Sequence, residues 1–499
     1  MQVEKHDASN NCWRKRMNFE KKTSVENLLI TLSSDLIGRN RYLLKLIRLL
    51  THGGGNKFFS LDGEWGTGKT FFVKQLDLLV NYCNSYDDGK IIKENTFTNN
   101  SPCLIELKES RQNIVQMEEL LKKNTLKDLK AVIQEKSLYS VYFNAWEHDD
   151  EEDPLISIIY QLINNYSHVN SKGEIVYSGN FDLLKQVVKI VSSGVIDIGN
   201  IINVEDFAKE IKRKNRVKEL IADVFDSIIC ENCNHLIIII DEIDRCKPTY
   251  AVKLLERMRH YIHDDRLTVL VSTNLKELQH TINALYGANF NSSKYLSKFF
   301  DSRLILPNID SIKYASSFPL KTNMYTDSWF SLAVSTFIEY TADMTMRDIE
   351  RYLTNLRFFE TYAFKDKSRV GSRAISVLLD LLILPYTVGL YSLDQNKYLD
   401  FINGKGYEEF VRFIKWEKHL ISFLVINLYS YEEEGEIEND VLFEEFEKIY
   451  NALFVKKVKS EEVNAGKLKF YYGTLSYFLN NISLLSDLAE LEQREVMTN

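Results

Sequence analysis

Apolar positions along this chain fall into two regimes. From Phe58 to Pro307, short apolar runs alternate with stretches of helical period. Lys57-Phe58-Phe59-Ser60-Leu61 and Ser140-Val141-Tyr142-Phe143-Asn144 read as strands, and His235-Leu236-Ile237-Ile238-Ile239-Ile240 sets five apolar residues in a row behind one His. Runs without polar alternation suit strands buried on both faces of a parallel sheet. Leu267 to Ser272 is another such run, and Arg303-Leu304-Ile305-Leu306 is a last short strand before Pro307. Between the strands the period lengthens. Phe72, Leu76 and Leu79 share one face of a helix over 71–82. Asp153-Pro154 supplies a cap and a first-turn proline to a helix with Leu155, Ile158, Ile159 and Leu162 inward. A long helix over about 204–229 buries Val217, Leu220, Ile221, Val224, Phe225 and Ile228. Further helices are expected from Pro248 to Ile262 and from Leu275 onward. Upstream, Leu43, Leu46, Ile47 and Leu50 line one helix, which Gly53-Gly54-Gly55 would end. The alternation predicts an α/β fold around a parallel sheet of about five strands flanked by helices.

Beyond residue 310 the strand alternation stops. Helical periodicity, few glycines and many aromatics predict an all-helical C-terminal region, acidic over 431–447. The expected organisation is an arm over 1–34, an α/β domain over 35–310, and a helical lid and C-terminal helical domain over 311–499. Residues of about 84–137 and 168–235 read as insertions in the α/β domain. The first of these has a polar loop, Asn95 to Ser101, before a charged helical stretch from Ile114 to Glu135.

Composition narrows the function classes. The net charge of −8 speaks against a chain-wide nucleic-acid surface. The basic run Lys209, Lys212, Arg213, Lys214, Arg216 and Lys218 lies on the polar side of an amphipathic helix and is expected to be solvated. The N-terminus has no apolar signal stretch, and the scatter of Cys12, Cys83, Cys103, Cys230, Cys233 and Cys246 suits reduced thiols. A cytoplasmic location is expected, with peripheral membrane association left open. Cys230-Glu231-Asn232-Cys233 with His235 lacks a second ligand pair at zinc spacing, so ordinary thiols are favoured. Leu183 to Val204 is interrupted by Lys185, Lys189 and Asp197, and Ala374 to Leu393 by Asp380 and Pro385; buried helices are expected for both.

The chemistry concentrates in Gly63-Glu64-Trp65-Gly66-Thr67-Gly68-Lys69-Thr70, which fits G-x-x-x-x-G-K-[ST] between a strand and a helix. Glycines turn backbone N–H groups toward a phosphate, and the helix N-terminus adds its dipole. These eight positions and Phe71 are the expected nucleotide-binding set. Lys69 would reach the outer phosphates and the Thr70 hydroxyl would hold Mg²⁺. Asp241 and Glu242 close the isoleucine run; Asp241 would bind Mg²⁺ through water and Glu242 would polarise an attacking water. A strand between the loop and the acidic pair, here 140–144, marks the additional-strand class of these NTPases. Asn274-Leu275-Lys276-Glu277 has Leu where the guanine-reading pattern needs Lys, so ATP is favoured over GTP. Asn274 could orient water or touch the γ-phosphate, or simply end a strand. Arg303 could act on a neighbouring subunit's nucleotide or form an ion pair, and Arg347 could sense nucleotide from a lid or sit on a solvated helix.

Together these motifs resemble the KAP P-loop NTPases. Asp35-Leu36-Ile37-Gly38-Arg39 is similar to that family's N-terminal box, and Trp65 just before Gly66 fits its phosphate loop. Phe143-Asn144-Ala145-Trp146, Ile240-Asp241-Glu242-Ile243-Asp244-Arg245-Cys246-Lys247-Pro248, Tyr295-Leu296-Ser297-Lys298-Phe299-Phe300 and Leu306-Pro307 follow in the family's order. The resemblance spans about residues 35–360. The family often has Asp where this chain has Glu242, a change that keeps the carboxylate. Some members carry transmembrane helices where Leu183 to Val204 stands, but the charges here suggest a member without them. The resemblance implies an ATP- and Mg²⁺-dependent switch, a homo-oligomer or effector-protein partner, and a role in phage exclusion. Asp244 and Arg245 would support the site or a subunit interface. A scaffold with little turnover and a nucleic-acid-stimulated ATPase are the alternatives.

Overall fold

A computed structural model describes residues 22–51, 57–87, 90–91, 101–122, 124–165, 167–169, 175–177, 219–226, 229, 233–318, 327–363, 382–416, 439–455, 462–465 and 468–471. The glycine run at 53–55, the apolar stretch at 183–204, the basic run at 209–218, Cys12 and Cys230 lie outside these residues. The chain divides into two compact units, one over Lys21–Ile309 and one formed by the described residues from Asp310 onward.

The first unit is built on one parallel sheet. Its strands are β1 Lys57–Asp62, β2 Leu138–Asn144, β3 His235–Asp241, β4 Leu267–Thr273 and β5 Ser302–Ile305. Their spatial order is β2-β3-β4-β1-β5. The uninterrupted apolar runs behave as expected: β4 is buried throughout, and β3 at every position after His235. One expectation is corrected. The additional-strand arrangement is present, with one strand between the loop-bearing strand and the acidic strand, but it is not the strand over 140–144. β4 stands there, paired with both β1 and β3, and β2 is the outer edge. Parallel neighbours are joined by long crossovers, so order along the chain leaves order in the sheet open. The register brings the strand ends into one row: Asn144 opposite Asp241, Asp241 opposite Ser272, and Asp62 opposite Thr273.

Helices cover the sheet. They include α1 Val25–Ser34, α2 Asn40–Thr51, α3 Lys69–Ser85, α4 Pro154–Asn165, α5 Pro248–Tyr261 and α6 Leu275–Tyr286. The Ser24 hydroxyl caps α1, and Asp153 accepts from Leu155 N at 3.0 Å ahead of α4. Leu43, Leu46, Ile47 and Leu50 of α2 are all buried, as their spacing requires. Helix α3 departs from its one-faced pattern, because Phe71, Val73, Leu78 and Val80 are buried along with Phe72, Leu76 and Leu79. The segment expected as an insertion explains this. It contributes helices Pro102–Lys108, Arg111–Leu121 and Asn124–Glu135, and the first and third pack on α3 while β2 lines it elsewhere.

Polar groups lock α3 to β2. Asp77 is wholly buried, and its Oδ1 accepts from Ser140 Oγ and Asn81 Nδ2, each at 2.8 Å. Asn81 Oδ1 accepts from Ser140 N at 3.1 Å. Burial pushes the Asp77 carboxyl up to about 7, against the pull of Ser140 and Asn81. The folded state therefore holds a proton that the unfolded chain releases near 3.8. Stability from this group is fullest below about pH 4 and falls as pH rises toward 7, by at most about 1.4 kcal/mol per pH unit. Urea midpoints across that window should fall more steeply for wild type than for Asp77→Asn; parallel curves would contradict the assignment.

The unit from Asp310 onward is mainly helical, with α7 Asp327–Tyr340, α8 Met346–Ala363 and α9 Leu384–Leu393 followed by helices Gln395–Ile402, Tyr407–Trp416 and Asn439–Tyr450. One short hairpin departs from the all-helical expectation: Glu462–Ala465 pairs antiparallel with Leu468–Tyr471. The Tyr386 ring lies 5.1, 5.0 and 4.9 Å from the rings of Phe401, Phe410 and Phe413. Gly389 makes the α9 crossing feasible, since a Cβ there would lie 2.2 Å from the Phe337 ring. The described part of the apolar stretch ending at Leu393 is buried helix. No helix among the described residues is long and apolar enough to cross a membrane.

Candidate nucleotide site

The loop between β1 and α3 has the backbone its sequence demands. Gly66 and Gly68 take φ of 81° and 84°, a region that side chains disfavour. A Cβ on Gly63 would meet Thr67 Oγ1 at 3.1 Å, so the loop closes tightly on itself there. Thr67 Oγ1 donates to Glu64 O at 2.7 Å, and Gly63 N donates to Thr273 O at 3.3 Å, which fastens the loop to β4. Lys69 opens α3 and is buried, with Nζ 2.7 Å from Gly63 O and 3.1 Å from Glu64 O. Burial lowers the Lys69 ammonium, while Asp244, Asp241 and Asp62 oppose that shift. Phe71 is buried, so its side chain belongs to the core.

Asp241 ends β3 and is 1 % exposed. Burial pushes its carboxyl up, opposed by hydrogen bonds that include the Thr70 hydroxyl, the Glu242 N–H at 3.0 Å and the Tyr142 hydroxyl at 3.2 Å. Ser272 also faces it, though its hydroxyl makes no well-formed hydrogen bond. The hydroxyl of Thr70 and the carboxylate of Asp241 thus meet, an all-oxygen pair suited to a hard divalent cation. Glu242 follows with φ of 59° and ψ of 25°, a left-handed conformation unusual for a non-glycine residue. Its carboxyl is raised chiefly by burial, and Arg245 opposes that rise from an ion pair at 3.1 Å.

Asp244 joins three parts of the site. Its Oδ2 accepts from Trp65 Nε1 at 2.6 Å and its Oδ1 from Thr273 Oγ1 at 3.3 Å. The phosphate loop, the turn after β3 and the end of β4 are therefore tied through one carboxylate. The Trp65 ring stays 46 % exposed beside the loop.

Other expected residues take more structural places. The Asn274 side chain caps α6, accepting from Lys276 N at 3.2 Å and Glu277 N at 3.4 Å. Arg303 pairs within its own chain, with Nε 3.0 Å from Asp62 Oδ2. Arg347 is exposed on α8 of the unit from Asp310 onward, beside an Arg351–Asp348 ion pair at 2.6 Å. Among the described residues, no group of three or more His, Cys, Asp or Glu is placed to hold a metal by itself, and Cys233 is a buried thiol outside any disulfide.

Two residues have structural roles that the sequence did not assign, Arg39 at the end of the Asp35–Arg39 box and Asp62 ahead of the phosphate loop. Arg39 is 4 % exposed, and its guanidinium donates from Nη1 to Thr67 O at 2.7 Å and from Nε to Pro307 O at 2.8 Å. It props the phosphate loop against the segment leaving β5. Asp62 accepts from Leu275 N at 2.8 Å besides pairing with Arg303. A carboxylate directly ahead of Gly63 was the available clue.

Residues 39–363 match the model of the KAP family P-loop domain. No curated protein matches the chain. Among solved structures, the chain is similar to the ORC2 protein of Aeropyrum pernix in its ADPNP–ADP complexes, at 12 % identity. That alignment covers 91 % of this chain and 95 % of the other at a TM-score of 0.31, too slight a likeness to carry an argument.

Proposed function

This chain belongs to the KAP P-loop family, and from that premise we propose that it binds ATP with Mg²⁺, hydrolyses it, and uses the cycle as a switch. The observation that carries the reading is the row of strand ends. It places Asp241 between Asn144 and Ser272 with Glu242 next in the chain, and the Thr70 hydroxyl faces Asp241 from the first turn of α3. Mg²⁺ held by Thr70 and Asp241 would neutralise charge on the outer phosphates. Lys69 supplies a fixed cation at the start of α3, and the Gly66 and Gly68 turns point backbone N–H groups at the phosphates. Glu242 takes the proton from the attacking water. The use of Asn274 as a helix cap supports ATP over GTP, since that side chain is already engaged where a guanine reader would need it free.

Phosphate release in Mg²⁺ tests the reading. ATP should be hydrolysed, with GTP slower by at least about tenfold, the equivalent of about 1.4 kcal/mol. Size exclusion with and without ATP should show a change of assembly or shape. ATP binding without phosphate release would instead establish a nucleotide-dependent scaffold. The Arg245–Glu242 ion pair favours that second reading, because it engages the general base. A nucleic-acid motor has less support, given the net charge of −8. The biological setting we propose is bacterial defence against phage, on the family resemblance alone. Phage should plate less efficiently on cells carrying the wild type than on cells carrying Lys69→Ala.

A further inference from the structure

The carboxylate proposed as the base is held by its own chain. Arg245 Nη1 lies 3.1 Å from Glu242 Oε1, across the short 3₁₀ turn Ile243–Arg245. The Arg245 guanidinium in turn lies over the Trp146 ring, 5.4 Å from its centroid. Trp146 is fixed just past the end of β2, where its backbone N–H donates to Asn144 Oδ1 at 3.2 Å and Asn144 Nδ2 donates to Glu147 Oε1 at 2.8 Å. The Asn144 side chain also faces the Glu242 carboxylate.

The sheet order gives this brace a direction. Asn144 ends β2, the edge strand on one side of β3, and Trp146 follows it in the short turn Trp146–His148. The phosphate loop follows β1, on the other side of β3 and beyond β4. Glu242 ends between them, in a left-handed backbone conformation that fixes where its side chain starts. Asn144 at the end of the edge strand, and Arg245 resting on Trp146, thus hold the carboxylate on the edge-strand side of β3. The brace is also open to release from outside. The Trp146 ring is 51 % exposed, so its contact with Arg245 can be broken without opening the core.

We propose that Arg245 and Trp146 are positioning residues that hold the Glu242 carboxylate on the edge-strand side, so that ATP binds first and turnover waits on release of the brace. The proposal rests on the ATPase reading above. It predicts an enzyme whose basal turnover is limited by base alignment and not by nucleotide affinity.

The test is a split of kcat from KM for ATP in Mg²⁺. Trp146→Ala should raise kcat about two- to fivefold, the rate equivalent of one exposed cation–π contact, with KM unchanged. Arg245→Gln should raise kcat at least as much. Trp146→Tyr, which restores an aromatic face under the guanidinium, should bring the rate back toward wild type. An active wild type whose Trp146→Ala and Arg245→Gln variants are unchanged or slower overturns this proposal alone. A KM that moves with kcat overturns it too, because the residues then act on binding. If wild type and both variants bind ATP and release no phosphate, the ATPase reading fails and this proposal fails with it.

Discussion

Glu242→Gln will abolish ATP turnover and leave ATP binding intact. Gln keeps the size of the side chain and loses the ability to take a proton. Removing a positioned general base costs on the order of a hundredfold or more in rate. Binding should survive, because the groups facing the phosphates are Lys69, Thr70, Asp241 and the loop backbone, whose packing does not depend on Glu242. The substitution also removes the charge partner of Arg245, which is one-third exposed and can be solvated. The check is paired: single-turnover phosphate release beside equilibrium titration of ATP. A variant that keeps more than about a tenth of the wild-type rate would show that the base lies elsewhere.

Arg39→Ala will weaken both the fold of the first unit and its grip on ATP. The guanidinium is buried, and it satisfies the carbonyls of Thr67 and Pro307 together. Deleting it strands two acceptors and leaves a cavity behind the phosphate loop. Burial lowers the guanidinium to about 10, so it remains a cation at neutral pH and its bonds are charge-assisted. Loss of such a group costs about 2–4 kcal/mol, or roughly 5–10 °C in Tm for a unit of this size. ATP affinity should fall as well, because Thr67 sits inside the loop. Arg39→Lys should recover part of the charge but not the two-pronged geometry. Thermal unfolding with and without ATP reads both effects. A Tm within about 2 °C of wild type would mean that the strut carries little load.

The sheet was largely legible in the sequence, because a strand buried on both faces leaves an unmistakable apolar run. His235 to Ile240 and Leu267 to Ser272 are such runs, and both became central strands. Spatial order was not legible. Nothing local in Ser140 to Asn144 says that β2 takes the edge and β4 the place beside β1. The phosphate loop was legible because its glycines and Lys69 act within eight residues of each other. Arg39 was not, since its two targets lie 28 and 268 residues away in the chain. The same distance hid the partner of Arg303, since Asp62 is 241 residues earlier. Asn274 was ambiguous for a local reason: a polar residue after a strand can face a ligand or cap the next helix, and here it caps α6. The burial of α3 on nearly every side was hidden because its cover comes from the segment over 102–135, which read as an insertion.

Calorimetric titration of ATP into wild type and Lys69→Ala, each with Mg²⁺ and with EDTA, tests the nucleotide site most directly. The expected result is binding that strengthens with Mg²⁺ in wild type and weakens by at least about a hundredfold, close to 2.7 kcal/mol, in Lys69→Ala. Equal binding by both proteins, indifferent to Mg²⁺, would contradict the assignment of Gly63 to Thr70 and Asp241 as the nucleotide site.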